Sequence, residues 1–322
     1  MANHTRLERF KGDFMFRFMM VMMIVFFSTS SYAQKKTVDI VTRFGPAAVV
    51  GRSAIELATQ LNKIQDEYEF RATQVNGSGG EAADQLALQK ARSGENVLAW
   101  QSTTNYTFNR YLVGNTYDRD NDFIPLQSMM GIPFSIFVDP SSKINTVDDL
   151  VKALKNKPQG FAAFSNGSSG TLLLTEVFLR KYDIKNIKFL GYKDPYETAK
   201  AVAINEADFT VFNHADTPNL KMILISSNER VKGFDSIPTG KEIGMSDFLY
   251  TSLSMISVPK ERIGFGIKIK PYLKQVCEDK DYQEKAISQR YIPICRDTDF
   301  IKARIKDELN LVDKYKDNIN FR

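Results

Sequence analysis

Apolar residues recur along this chain at two periods, and the alternation between the two sketches an architecture. Residues 37–44 alternate as a strand, and Gly45, Pro46, Ala47 and Ala48 break the pattern. Ile55, Ala58, Leu61 and Ile64 then fall at helical spacing within 50–64. Residues 70–75 predict a second strand, and the turn at 76–80 leads into a helix over 81–92. Residues 96–100 predict a third strand. A βαβαβ run of this kind predicts a parallel sheet covered by helices.

The pattern repeats after Met130. Residues 134–138 predict a strand, and Thr146 opens a helix with Asp148 and Asp149 in its first turn. Strand 160–164, helix 172–182, strand 187–191, helix 196–205 and strand 209–212 follow, then strands over 220–226 and 249–258. Pro271, a good first-turn residue, is expected to open a helix reaching 279, and 300–317 predicts a charged terminal helix. Two α/β halves in succession predict two lobes with a cleft between them. In such sheets ligands sit beyond the C-terminal ends of the strands.

Composition fits that reading. The chain has 322 residues, 43% hydrophobic and 25% charged, with 43 Lys+Arg against 38 Asp+Glu. Four of the basic residues and two of the acids lie in the first 33 positions, which leaves +3 of the net +5 for the rest. So small an excess, not gathered into a block, disfavours nucleic acid as a partner. The first 33 residues read as a cleavable export signal: Arg17, an apolar run over 18–27, then small residues with Ser31 and Ala33 in the cleavage positions. The apolar run is too short to span a bilayer comfortably. A mature chain starting near Gln34 and working in the periplasm is expected, with translation starting at Met1 or Met15. An oxidising compartment permits a disulfide between Cys277 and Cys295, worth about 3 kcal/mol in the chain-entropy model; two buried thiols are the alternative.

The most informative stretch for chemistry is 164–171. Ser165, Asn166, Gly167, Ser168, Ser169 and Thr171 stand between a strand and a helix, where free backbone N–H groups and the helix dipole favour an anion. Taken alone, it also reads as an ordinary strand-to-helix turn with a hydroxyl cap. Catalysis finds little support. After the signal the one histidine is His214, with Asp216 nearby, and no G-x-S-x-G elbow accompanies it. One histidine cannot build a metal site of the usual kinds, and the glycine turn at 76–80 lacks both nucleotide-loop spacings. What remains is a set of strand-end loops rich in donors: 45–52, 101–105, 165–171 and 193–198. Such loops suit the binding of a carboxylate without a reactive side chain.

Several segments, taken in order, resemble a known family. They are residues 37–48, the turn Asn76, Gly77, Ser78, Gly79, Gly80, the hydroxyl-rich loop 101–109, and 123–126. Val138, Asp139 and Pro140 follow, then 146–150, the loop 164–171, Gly191, Tyr192 and Lys193, and Ser236, Ile237, Pro238 and Thr239 with Glu242 and Gly244. Over nearly all of 36–322 the chain resembles the periplasmic solute receptors of tripartite tricarboxylate transporters, the Bug family. The resemblance implies a two-lobed Venus-flytrap α/β fold with mostly parallel sheets and helices on both faces. It also implies a small carboxylate held through main-chain amides and bridging waters. Ala47, Ala48, Val49 and Val50 replace the family's Gly-Gly region, Gly51 and Arg52 stand where it has an acidic residue, and Asp194 takes a usual glycine position.

The resulting expectation is a non-enzymatic, monomeric receptor that captures a small organic anion and presents it to membrane transporter subunits, with no cofactor and no metal. Residues 34–133 and 257–322 would form one lobe and 134–256 the other. Expected ligand contacts are Ala47, Ala48, Arg52, Ser102, Thr103, Thr104, Ser165, Asn166, Gly167, Ser168, Ser169, Thr171, Tyr192, Asp194 and Asn213. Trp100 would either wall the cleft or belong to the core. A sensor feeding a two-component partner, and a cleft hydrolase using His214 and Asp216, are the alternatives.

Overall fold

The computed structural model describes residues 35–46, 48–75, 80–112, 117–165, 169–193, 195–213 and 219–318. Expectations resting on Ala47, Asn166, Gly167, Ser168, the Ser169 side chain, Asp194, His214 and Asp216 lie outside the described residues. Strand β1 (Lys36–Thr42) is buried on both faces from Val38 to Thr42. Val38 and Ile40 enter one core, and Val41 enters another on the opposite face. Helix α1 (Val49–Ile64) buries Ala54, Leu57, Ala58 and Leu61 on one face, but Ile55, expected on that face, is exposed. After β2 (Tyr68–Gln74), helix α2 (Glu81–Arg92) packs Ala83, Ala87, Leu88 and Ala91 on the other side of the sheet. Strand β3 (Val97–Ser102) splits the same way: Leu98 and Trp100 join the α1 side, Val97 and Ala99 the α2 side. Trp100 is thus a core residue.

Two short helices, α3 (Thr103–Tyr106) and α4 (Asn109–Leu112), precede a 16-residue strand, β4 (Phe123–Val138). Then come α5 (Val147–Lys155), β5 (Gly160–Ser165), α6 (Ser169–Lys181), β6 (Ile187–Tyr192), α7 (Pro195–Ala203), β7 (Phe209–Asn213) and β8 (Lys221–Ile225). Strand β9 (Thr251–Pro259), α8 (Ile263–Glu278), α9 (Lys280–Ser288), β10 (Ile292–Pro293) and α10 (Thr298–Tyr315) complete the described chain.

Sheet order is β2-β1-β3-β9-β4-β7-β5-β6, with β8 and β10 also paired to β4. Strand β4 joins two half-sheets. From Phe123 to Pro133 it runs antiparallel to β9, and from Phe134 to Val138 it pairs antiparallel with β7 and β8. Only 134–138 reads as strand from periodicity, because Pro125, Gly131 and Pro133 interrupt the earlier run and the register shifts at Pro125/Gln127 and Ser128/Met130.

Helix α8 also departs from expectation. It begins at Ile263 and carries Pro271 in its interior instead of at its start. Proline there removes the bond to the carbonyl of Ile267, but both residues face solvent, where water can satisfy that oxygen. Cys277 and Cys295 are joined, their Cα atoms 5.7 Å apart, so the bridge, not the pair of thiols, is what the fold uses.

Four clusters of buried side chains fill the sheet's two faces on both halves. Helix α10 takes part in both halves. Its Ile301 packs with β1, β3 and β9, whereas Val312 and Tyr315 pack with α6, β4 and β7. Contacts join Thr37–Arg322 into one compact unit.

Candidate ligand cleft

Strand direction alone gathers the candidate residues. β1 and β3 run parallel, β9 runs against β3, and β4 runs against β9, so β1, β3 and the first half of β4 all point toward Pro133. Beyond Pro133, β7 runs against β4 and parallel to β5, which is parallel to β6. These strands point back toward the same place. The C-terminal ends Thr42, Ser102, Ser165, Tyr192 and Asn213 therefore meet where the chain crosses between half-sheets. The register agrees: Asn213 lies opposite Phe134, Ser165 opposite Tyr192, and Pro133 opposite Thr251.

The crossing is tightly packed. The Tyr250 ring meets those of Phe108 and Phe134 edge-on, each at 5.4 Å. Ser226 Oγ donates to Tyr250 O and accepts from Phe134 N at 2.7 Å. A Cβ added to Gly170 would lie 2.9 Å from Phe134 Cζ, so a small residue lets the start of α6 rest on that ring.

The loop leaving β3 is held from two sides by buried carboxylates. Asp84, in the first turn of α2, accepts from Gln101 Nε2 at 2.9 Å, Asn105 Nδ2 at 3.0 Å and Tyr117 OH at 2.7 Å. Burial pushes its pKa up, and those three donors oppose the rise. Glu308, on α10, accepts from Thr103 Oγ1 at 2.8 Å, Thr107 Oγ1 at 3.4 Å, Tyr250 OH at 3.4 Å and Arg304 Nε at 3.1 Å. Burial raises its pKa to about 7 despite the adjacent Arg304. Residues 101 and 105 thus answer to one carboxylate, and 103 and 107 to the other.

Thr103, expected among the ligand contacts, has a fully buried hydroxyl that donates to Glu308. Ser102 and Thr104, each slightly accessible, hydrogen-bond to one another, with Ser102 also donating to Asn105 Oδ1 at 3.0 Å. A second ion pair braces the same loop. Arg119 donates to Glu81 at 2.7 Å and to Asn105 O at 2.9 Å, with both charged side chains buried.

The remaining expected contacts are distributed as follows. Ala48 caps α1 in extended conformation, its N–H bonded to Gly45 O at 3.0 Å. Arg52 is exposed, with Nη1 donating to Pro46 O at 3.2 Å. Ser165 and Thr171 are buried and Asn213 is half-buried. Tyr192 is half-buried, and burial together with Glu206 pushes its phenol up to about 12. Gly80 caps α2 with φ +102, a conformation suited to glycine, and a Cβ there would sit 2.9 Å from Arg43 Cδ and 3.3 Å from Asn105 Nδ2. Arg43, absent from the sequence reading, therefore lies against the hydroxyl loop, over the Phe44 ring at 4.8 Å. Asp84 and Glu308 were also missed. Their signal is a carboxylate inside an apolar helical stripe: Asp84 with Ala87, Leu88 and Ala91, and Glu308 with Ile301, Val312 and Tyr315.

Among the described residues, no group of three His, Cys, Asp or Glu side chains is arranged to hold a metal ion. No described helix is long and apolar enough to cross a membrane.

Comparison with known proteins decides the family. The family model described as "Tripartite tricarboxylate transporter family receptor" matches residues 74–280. The chain belongs to this receptor family. Protein BugT of Bordetella pertussis is 24% identical to the receptor over 246 residues, covering 72% of this chain and 74% of BugT. Among solved structures, R. palustris Rpa4515 with adipate superposes with TM-score 0.75 at 17% identity, covering 89% of the receptor and 98% of Rpa4515. MatC from Rhodopseudomonas palustris with bound malate gives TM-score 0.69 at 14% identity, covering 86% and 98%. The receptor thus has the two-lobed α/β fold of periplasmic binding proteins.

Proposed function

We propose that this receptor captures a small organic carboxylate between its half-sheets and hands it to the membrane subunits of a tripartite tricarboxylate-type transporter. The observation that carries this reading is the convergence of five strand ends on one crossing, with a hydroxyl-rich loop braced by Asp84 and Glu308. The two neighbours crystallised with adipate and malate, both dicarboxylates, support the ligand class. Ser102 and Thr104 offer hydroxyls from one side. Residues 165–171 and the start of α7 offer hydroxyls and backbone N–H groups from the other. Arg43 and Arg52 supply positive charge on the α1 side, Ala48, Tyr192 and Asn213 complete the wall, and Ala47 and Asp194 are proposed as contacts from the sequence alone.

The lobes of this proposal are 34–133 with 257–322, and 134–256. The ligand bridges them, so it binds the closed state more tightly and shifts the population toward it. A cleaved signal ending near Ala33 would place the monomeric mature chain in the periplasm. The function is binding, not turnover.

A thermal-shift screen of protein from Gln34 onward against mono-, di- and tricarboxylates tests the reading. A ligand at about 100 times its dissociation constant adds about 2.7 kcal/mol, which is readily detected. A dicarboxylate hit weakened in Ser102→Ala/Thr104→Ala supports the proposal. A flat screen across all acids refutes it.

A further inference from the structure

We propose that Glu308 is a positioning residue for ligand capture: from α10 it holds the Thr103 and Thr107 hydroxyls, thereby fixes the Ser102 and Thr104 pair, and loosens that hold when it takes up a proton. The proposal deepens the carboxylate-receptor reading and rests on it for its ligand.

Geometry carries the inference. Helix α10 is seated in the cores of both halves, through Ile301 at one end and Val312 and Tyr315 at the other, with Glu308 between them. The groups facing its carboxyl are Arg304 from its own helix, Thr103 from α3, Thr107 just after α3, and Tyr250 just before β9. Arg304 also donates to Thr251 O at 3.2 Å, so the guanidinium is held in place. Leu253 N donates to Thr103 Oγ1 at 3.4 Å, which turns the threonine's own proton toward Glu308. An ionised carboxylate only accepts, and here three hydroxyls and a guanidinium use its lone pairs. A protonated carboxyl must donate through one oxygen, so one of those hydroxyls gives up its bond to Glu308; Thr107 Oγ1 has Thr103 O at 3.0 Å to turn to. Because burial lifts Glu308 to about 7, both states are populated near neutral pH. Ser102 and Thr104 flank Thr103 directly, so a shift of Thr103 moves both.

Trp100 is the chain's one tryptophan and lies two residues before Ser102, so its fluorescence reads this loop without any ligand. In ligand-free protein from Gln34 onward, a titration from about pH 5.5 to about pH 8.5 is expected to show a transition centred near 7. Glu308→Gln is expected to remove it, and Thr103→Val, which takes away a bond favouring the ionised form, to move it to higher pH. A wild-type titration without that transition, or one unchanged by Glu308→Gln, overturns the proposal. Should Glu308→Gln fail to fold, an unmoved midpoint in Thr103→Val overturns it equally.

Adipate binding by calorimetry at about pH 8 is the second arm. Both variants are expected to lose about tenfold in affinity, the scale of one charge-assisted hydrogen bond. Unchanged affinity in a variant that unfolds cooperatively overturns the positioning role. If wild-type protein binds no carboxylate, the ligand reading fails, while the fluorescence arm still judges Glu308.

Discussion

Gly51→Ala is the most informative single change for the turn between β1 and α1. Gly51 is buried in the first turn of α1, and a Cβ there would lie 2.0 Å from Gly45 O, 2.3 Å from Gly45 C and 2.6 Å from Phe44 O. These are backbone atoms, so no side-chain rotation can clear them. The turn itself must move by about 1 Å to reach an ordinary contact, and overpacking of this kind costs about 3 kcal/mol. Alanine's better helix propensity returns about 1 kcal/mol, leaving a net loss near 2 kcal/mol. For a chain of this size that lowers Tm by about 4 °C. Gly264→Ala in α8 is the matched control: nothing lies within 4 Å of the added Cβ, and the same propensity difference predicts a gain of about 1 kcal/mol. Urea unfolding and calorimetric Tm of the two variants, measured side by side, check the reasoning. Gly51→Ala as stable as wild type would refute it, because then the turn is free to shift. If the turn also lines the proposed cleft, carboxylate affinity should fall in Gly51→Ala and stay unchanged in Gly264→Ala.

Other outcomes follow from the same geometry. Glu308 titrates in the fold at about 7, against 4.5 when free, so its contribution is fully present below about pH 4.5 and is lost as pH rises through 7. That loss amounts to about 3 kcal/mol, and Glu308→Gln should flatten this part of a stability-versus-pH curve measured by urea unfolding. Reducing the bridge between Cys277 and Cys295 should cost about 3 kcal/mol, read as a lower urea midpoint in the presence of reductant. Asp84→Ala leaves Gln101, Asn105 and Tyr117 without their shared acceptor and should destabilise by at least about 3 kcal/mol, with proteolysis appearing first near residues 101–107.

Strands and helices whose packing is local were legible in the sequence. The spacing of Ala58 and Leu61 in α1 follows directly from which face is buried, and the apolar run of β1 from its burial on both faces. Strand β4 was only partly legible, because proline and glycine usually end a strand, and here bulges and the neighbouring β9 carry the pairing past them. Pro271 misled for a related reason: its cost falls on a solvent-facing carbonyl, which sequence does not reveal. At the site, Ser102, Thr103 and Thr104 look alike in sequence. What distinguishes the middle one is Glu308, 205 residues away. Only the odd carboxylate in an otherwise apolar helical stripe hinted at such a partner.

The way the two cores are assembled has a consequence for the order in which this chain can fold. The core around β1 and β3 takes Val38, Leu57, Leu98 and Met130 from early in the chain, and Ile256, Leu273 and Tyr291 from near its end. A nascent chain therefore exposes an unfinished apolar face through most of its synthesis, and only the last segments close it. Contacts of such long sequence separation fold slowly. Late closure leaves that core incomplete while the polypeptide is made. It also makes the final few helices, not the first, the ones whose loss leaves the molecule most open to aggregation.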